Sequence, residues 1–278
     1  MKAKLLKIII TVLCAALLLT GCAYIERAVD PHAGMVEVFN GTSNVWIVPE
    51  EGVPQNTIAA EDIITDPDGN LVYCGGEYSS AVRGIDVSSH QQTVDWQQVA
   101  DSGVKFVILR AGGRYYGGDG DLYEDDFFKI NLQGATEAGL DVGVYFFSQA
   151  INAEEAKEEA EFTLGLLEET ELALPVFIDW ERIDGGRANE LDSDTMTDCI
   201  LSFCETVEAS GREAGVYFNL DTGYYGFELA RLTDYTFWCA CPGDYPYCYY
   251  AHTIWQYSFE GNVPGIYGVC DMNMMFIK

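Results

Sequence analysis

Residues 142–181 read VGVYFFSQAINAEEAKEEAEFTLGLLEETELALPVFIDWE, and they decide the fold. The two ends, 142–147 and 174–180, are apolar runs rich in β-branched and aromatic residues, as strands are. Between them Asn152-Ala-Glu-Glu155 is a helix N-cap with an acidic partner three residues on, which predicts a helix to about Glu168. Strand, helix and strand in this order predict parallel pairing through a right-handed crossover. The alternation spreads outward, with further strands expected over 82–87, 104–110, 214–218, 235–240, 252–257 and 268–276. Met196, Cys199, Ile200, Phe203 and Val207 follow the i, i+3, i+4 spacing of a second amphipathic helix, and Gly211 stands where it should stop. About eight strands in roughly 200 residues suit a closed α/β barrel, with an open doubly wound sheet as the rival. Helices thin out after Arg231, so the barrel is expected to be irregular, with fewer helices than strands.

The chain before residue 82 has a different character. Lys2, Lys4 and Lys7 precede an apolar run over 8–19, too short to span a bilayer and suited to a signal-peptide core. Leu19-Thr20-Gly21-Cys22 resembles the bacterial lipobox, in which the cysteine is lipid-modified and becomes the mature N-terminus. The plain alternative is an ordinary secretory signal with a chance cysteine. Residues 1–21 are thus expected to be a lipoprotein signal peptide, and Cys22 a lipid attachment site holding the protein outside the cytoplasm on the cell membrane. Residues 22–81, rich in Gly, Pro, Asn, Asp and Thr, read either as a tether or as a small extension packed on the main domain at 82–278.

The formal net charge is −29, and loss of three lysines with residues 1–21 makes it −32. So acidic a chain is not expected to bind nucleic acid through phosphates, and anionic lipid would repel it, which makes a covalent anchor more useful than a basic patch. Of nine cysteines, seven remain beyond Cys22, an odd number in a chain too long to need a disulfide framework. Most are expected to be buried thiols, with room for one or two bridges. Cys239, Cys241, Cys248 and His252 match no familiar zinc spacing, and no cofactor or metal is expected.

Barrels of this kind keep their chemistry at the C-terminal strand ends. Four acids fall there: Asp86, Asp179, Glu181 and Asp271. Residues two apart on a strand share a face about 6–7 Å from one another, so Asp179 and Glu181 should look into one cavity. Two carboxyl groups flanking a scissile bond are what glycoside hydrolysis uses. One must keep a proton near neutrality, and crowded carboxylates raise one another's proton affinity. Glu181 is assigned the acid role. A lone strand-end Asp-x-Glu also occurs in calcium sites and solvated loops, but no regular Asp-x-Asp-x-Asp-Gly loop is present.

Longer motifs sharpen this reading. Gly84-Ile-Asp-Val-Ser-Ser-His-Gln91 with Val94-Asp-Trp96 resembles the opening signature of glycoside hydrolase family 25 lysozymes. Val104-Lys-Phe-Val-Ile-Leu-Arg110, then Asp125 or Asp126 through Asn131 to Ala135 and Gly139, are similar to the family's next strand and helix. Val142–Ser148, Pro175–Glu181, Trp255-Gln-Tyr-Ser258 and Asp271-Met-Asn273 follow in family order. The resemblance runs from about Arg83 to Phe276. It implies a flattened, irregular barrel that cuts the β-1,4 bond between N-acetylmuramic acid and N-acetylglucosamine in peptidoglycan. By position it implies Glu181 as proton donor among the four acids, with Asp179 or Asp271 supporting the anomeric carbon. Direct aspartate attack and assistance by the substrate's acetamido group both stay open. Gln92 stands where a glycine often follows the glutamine, and Phe146 where many members carry histidine.

Tyr145, Phe147, Tyr217, Trp238 and Trp255 are the candidate sugar platform, with barrel core as their plainer reading. Tyr245, Tyr247, Tyr249 and Tyr250 suit a packed loop slightly better than a groove, and His90 and His252 suit structural roles. A monomer is expected. The competing function is a catalytically silent lipoprotein that binds the cell wall; retention of all four acids weighs against it.

Overall fold

The computed structural model describes residues 30–117, 120–168 and 170–278. The signal segment and Cys22 lie outside the described residues. The described residues divide into two units, 30–37 with 46–49, and 38–45 with the rest of the chain from 50 on. In the first, the His32 ring stacks on Trp46 with centroids 4.0 Å apart. Strands β1 (Val36–Phe39) and β2 (Asn44–Ile47) form a hairpin, and β3 (Ile63–Thr65) and β4 (Leu71–Tyr73) form another.

Eight strands of the second unit close a barrel: β5 (Ser80–Val87), β6 (Phe106–Arg114), β8 (Asp141–Ser148), β9 (Val176–Trp180), β10 (Ala214–Asn219), β11 (Thr236–Ala240), β12 (Ile254–Gly261) and β13 (Cys270–Ile277). The short β7 (Leu122–Glu124) pairs antiparallel with the end of β6. All eight barrel strands expected from the sequence are present. Pairing is parallel from β5 through β6, β8, β9, β10 and β11 to β12, and β13 is antiparallel to both β12 and β5. That departs from the parallel pairing expected of the alternation. Residues 262–269 are too few for the crossover that a parallel return demands.

Helices are sparser than strands: α1 (Trp96–Asp101), α2 (Phe128–Glu137), α3 (Ala153–Leu167), α4 (Ser193–Ala209) and α5 (Leu220–Tyr225). Asn152 Oδ1 accepts the Glu155 N–H at 2.9 Å, as its position predicted. The Glu155 carboxylate does not close the box; it accepts the Ile151 N–H and pairs with Arg187. Helix α4 opens on Asp192, which accepts the Thr195 N–H, and ends before Gly211 at φ +85°. Among the described residues, no helix is long and apolar enough to cross a membrane.

Strand alternation builds two cores. The outer one lies between strands and helices and includes Val144, Phe146, Ile178, Phe203 and Val216. The inner one fills the barrel with Phe106, Ile108, Phe177, Tyr217, Trp238, Ala240 and Ile254. Gly84 and Gly215 make room there: a Cβ on either would enter the ring of Phe106 or Phe177. Each ring so buried contributes about 1.5–3 kcal/mol. Phe146, in the family's frequent histidine position, faces outward against Phe162. Gln92 sits at φ 55°, ψ −127°, a conformation that suits glycine and explains why one is common there.

From Glu50 on, the extension is packed structure. Ile58 and Ile63 are buried in the outer core, Asn56 Nδ2 donates to the carbonyls of Pro246 and Cys248, and the Ser79 N–H donates to Ile277 O. All seven described cysteines are free thiols, six of them buried and Cys74 exposed.

Candidate active site

The inward positions at one end of the barrel carry the four acids. Asp86 is the last inward residue of β5, directly opposite Asp271 near the start of β13. Asp179 is the last inward residue of β9, flanked in register by Phe147 on β8 and Tyr217 on β10. Glu181 follows two residues on, half-buried at the mouth. All four thus converge: Asp179 and Glu181 as strand alternation predicted, and Asp271 from the start of the antiparallel β13, not from the C-terminal strand end expected of it.

Amides hold them in place. Gln256 Nε2 donates to Asp86 Oδ2 at 2.8 Å and to Asp271 Oδ2 at 3.2 Å, while its Oε1 accepts the Tyr217 hydroxyl at 3.0 Å. Asn273 Nδ2 donates to the same Asp86 oxygen at 2.8 Å, and Asn273 Oδ1 accepts the Trp238 indole N–H at 2.8 Å. Asn219 Nδ2 donates to Glu181 Oε1 at 2.8 Å; its Oδ1 meanwhile caps α5 by accepting the N–H groups of Asp221 and Thr222. Asp179 is treated differently. Among the described residues, its buried Oδ1 has no hydrogen-bond partner.

Burial without enough donors raises proton affinity. Burial and the charge of Asp271 push the Asp86 carboxyl up to about 8, against the pull of its two amide donors. Burial and the charge of Glu181 push Asp271 up to about 6, and a hydrogen bond from Asp86 limits that rise. Asp179 is carried well above the carboxylate range by burial, then by the charges of Glu181 and Asp86, with Arg110 opposing. Glu181 is raised by burial and held back by the hydrogen bond from Asn219. Like charges so close titrate as a set, and the set retains protons at neutral pH. Arg110, facing inward from β6, is itself fixed by the buried Asp125, to which Nε donates at 2.7 Å.

The aromatic candidates separate. Glu181, Tyr217 and Asn219 line a cleft of 440 Å³ together with Asn40, Gly41, Pro242, Tyr247 and Phe259. Tyr145 and Phe147 are half-buried inward residues of β8. Trp238 is 2% exposed and meets Tyr145, Phe177 and Tyr217 edge-on, so it forms the floor beneath the acids. Trp255 must be taken out of the sugar-facing set. Gln256 holds the inward position, so Trp255 points to the outer core, fully buried, with its indole N–H on Cys241 O. His90 lies on the turn after β5, and His252 lies in the outer layer.

Sequence reasoning missed the amides. Gln256 and Asn273 sit inside motifs quoted above, and Asn219 stands two residues after Tyr217, where alternation aims it at Glu181. Strand parity was the available signal.

A closed barrel with paired carboxyls at the carboxyl ends of its strands, one acid half-buried at a cleft, defines a glycosidase-type site. The family profile described as Glycosyl hydrolases family 25 matches residues 85–266, and the chain belongs to that family. It is a glycoside hydrolase. It is 29% identical over 213 residues to lysozyme M1 of Streptomyces globisporus, covering 70% of this chain and 68% of that protein. It is 28% identical over 194 residues to the autolytic lysozyme of Clostridium acetobutylicum; the match covers 69% of this chain but spans only 55% of that longer protein. The bacterial lysozyme of Streptomyces coelicolor superposes with a TM-score of 0.54 at 25% identity, covering 70% of this chain and 92% of that one.

Proposed function

We propose that the protein is an N-acetylmuramidase that hydrolyses the β-1,4 bond between N-acetylmuramic acid and N-acetylglucosamine in peptidoglycan. The observation that carries this is the pair Asp179 and Glu181, aimed from one strand end into a cleft with Asp86 and Asp271 beside them. The lysozymes to which the chain is similar support the choice of substrate.

Glu181 is the member of the set that a glycosidic oxygen reaches, because it lines the cleft while Asp86 and Asp179 are buried. It gives its proton to the leaving oxygen as the bond breaks. Positive charge then develops at the anomeric carbon, and Asp271, whose proton affinity is raised less than that of Asp86 or Asp179, supplies the opposing charge. Asp179 keeps its proton. Its unpartnered oxygen also suits accepting the N–H of a substrate acetamido group, which would turn the amide oxygen toward that carbon. Asp271, tied through Gln256 to Asp86, holds the far side of the cluster negative. Tyr217, Tyr145 and Phe147 offer ring faces and edges to the sugar. The protein acts as a monomer outside the cytoplasm, held to the membrane by lipid on Cys22.

The test incubates the full-length chain and a Glu181→Gln variant with purified peptidoglycan and reads new reducing ends by mass spectrometry. Reducing-end N-acetylmuramic acid from the parent alone is expected. Reducing-end N-acetylglucosamine would move the enzyme to the other glycosidic bond. Binding without release by either protein would instead favour the silent wall-binding reading.

A further inference from the structure

The outer face of β11 and the loop that follows it bring together residues that the chemistry above does not use. Cys239 and Cys241 are two apart, so both point away from the barrel interior, where Trp238 and Ala240 point inward. The loop after β11 returns Cys248 and His252 to the same place. A sulphur from each of Cys239 and Cys248 and a ring nitrogen of His252 lie within 4.8 Å of one another, all three residues buried. Cys241 lies beside them on the same outward face of β11.

The histidine is poised in a particular way. Its Nδ1 is 3.0 Å from the Tyr250 carbonyl oxygen. With the N–H directed there, the lone pair is left on Nε2, and Nε2 is buried with no hydrogen-bond partner among the described residues. His252 is 5% exposed, so no bulk water satisfies it. A buried imidazole with a carbonyl on one nitrogen and an orphan on the other is the arrangement by which proteins orient a metal ligand. Tetrahedral zinc with bonds of about 2.0–2.3 Å spaces its ligand atoms about 3.5–3.8 Å apart, so the ligand atoms of Cys239, Cys248 and His252 lie within about an ångström of that spacing.

We propose that Cys239, Cys248 and His252, with Cys241 as fourth ligand, bind a structural zinc ion. Thiolate and imidazole donors favour zinc over magnesium or calcium, and a fully protein-supplied set of four leaves no open position for catalysis. Binding exchanges thiol protons for the metal, one proton released for each cysteine that coordinates. The ion would tie the end of β11 to the loop carrying Tyr247, which lines the cleft, and to the 50–58 segment that Asn56 fastens to the carbonyls of Pro246 and Cys248. A disulfide between Cys239 and Cys248 is the competing use of the same sulphurs.

The test is metal analysis of the full-length chain, produced with zinc in the medium and purified without chelator. About one zinc per chain is expected, released by a mercurial thiol reagent. Cobalt in place of zinc should give the intense visible and near-ultraviolet bands of tetrahedral thiolate ligation. Cys248→Ser and His252→Ala should lose the metal, and Cys74→Ser should keep it. Chelation should also lower Tm. A folded parent protein with under about a tenth of an equivalent of zinc and no cobalt bands would overturn the proposal, whatever the variants do. So would a peptide map showing Cys239 and Cys248 joined as a disulfide.

Discussion

Changing Asn219 to aspartate keeps one of its two duties and reverses the other. The oxygen that accepts the Asp221 and Thr222 N–H groups at 3.0 and 3.1 Å remains, and aspartate caps a helix about as well as asparagine, so stability should move by less than about 0.5 kcal/mol. The atom 2.8 Å from Glu181 Oε1, however, changes from an N–H donor to a carboxylate oxygen. A contact that restrained the proton affinity of Glu181 is lost, and a like charge is added. Two unit charges 4 Å apart interact by about 4 kcal/mol at an effective dielectric of 20. Glu181 is partly exposed at the mouth, and water reduces this to roughly 1–2 kcal/mol, or about one pH unit. The basic limb of the kcat/KM profile on solubilised glycan strands reports loss of the acid's proton in the free enzyme. That limb should therefore shift upward by about one pH unit, with Tm unchanged. Asn219→Ala should shift it less and also lose the cap, at about 1 kcal/mol and roughly 2–4 °C. An Asn219→Asp enzyme with unaltered Tm and an unmoved basic limb would refute Glu181 as the proton donor.

Three further outcomes are expected. The Asp86 carboxyl, raised from 3.8 to about 8, binds its proton more tightly in the folded state. Its stabilisation is therefore full below pH 4 and is lost as pH rises toward 8, so Asp86→Asn should melt close to the parent at pH 4 and above it at pH 9. Gln92→Gly should relieve the positive φ and raise stability by about 1 kcal/mol, read as a higher denaturant midpoint. Gly84→Ala should destabilise by more than about 2 kcal/mol, because its Cβ meets the fully buried Phe106 ring, seen as a lower Tm or failure to accumulate soluble protein.

The barrel was legible because the strands are apolar runs bounded by helix caps, and because parity alone sends Asp179 and Glu181 the same way. The antiparallel return of β13 was not. Apolar periodicity carries no direction, and only the brevity of residues 262–269 betrays it. Trp255 was misplaced because an aromatic beside a strand end suits either face, and the parity that excludes it depends on where β12 begins. The amide clamp of Gln256, Asn273 and Asn219 was missed for a simpler reason. Strand parity aims these residues inward, but it does not say which distant acid an uncharged amide will meet. The thiol and imidazole residues were named in the sequence and set aside as a metal site, since their spacing is set by a loop fold and not by a short repeat.

Asn40 and Gly41 line the cleft beside Glu181, yet they come well before residue 85, where the family likeness begins. Asp86, Asp179 and Glu181 thus lie within the matched span, while part of the wall that frames them lies outside it. Selection can alter which glycan ends or decorations are admitted by editing the hairpin tip, without touching an acid or its amide. An alignment of the common domain would score two such enzymes as equivalent, and a trimmed fragment starting at the barrel would inherit the chemistry with a different doorway.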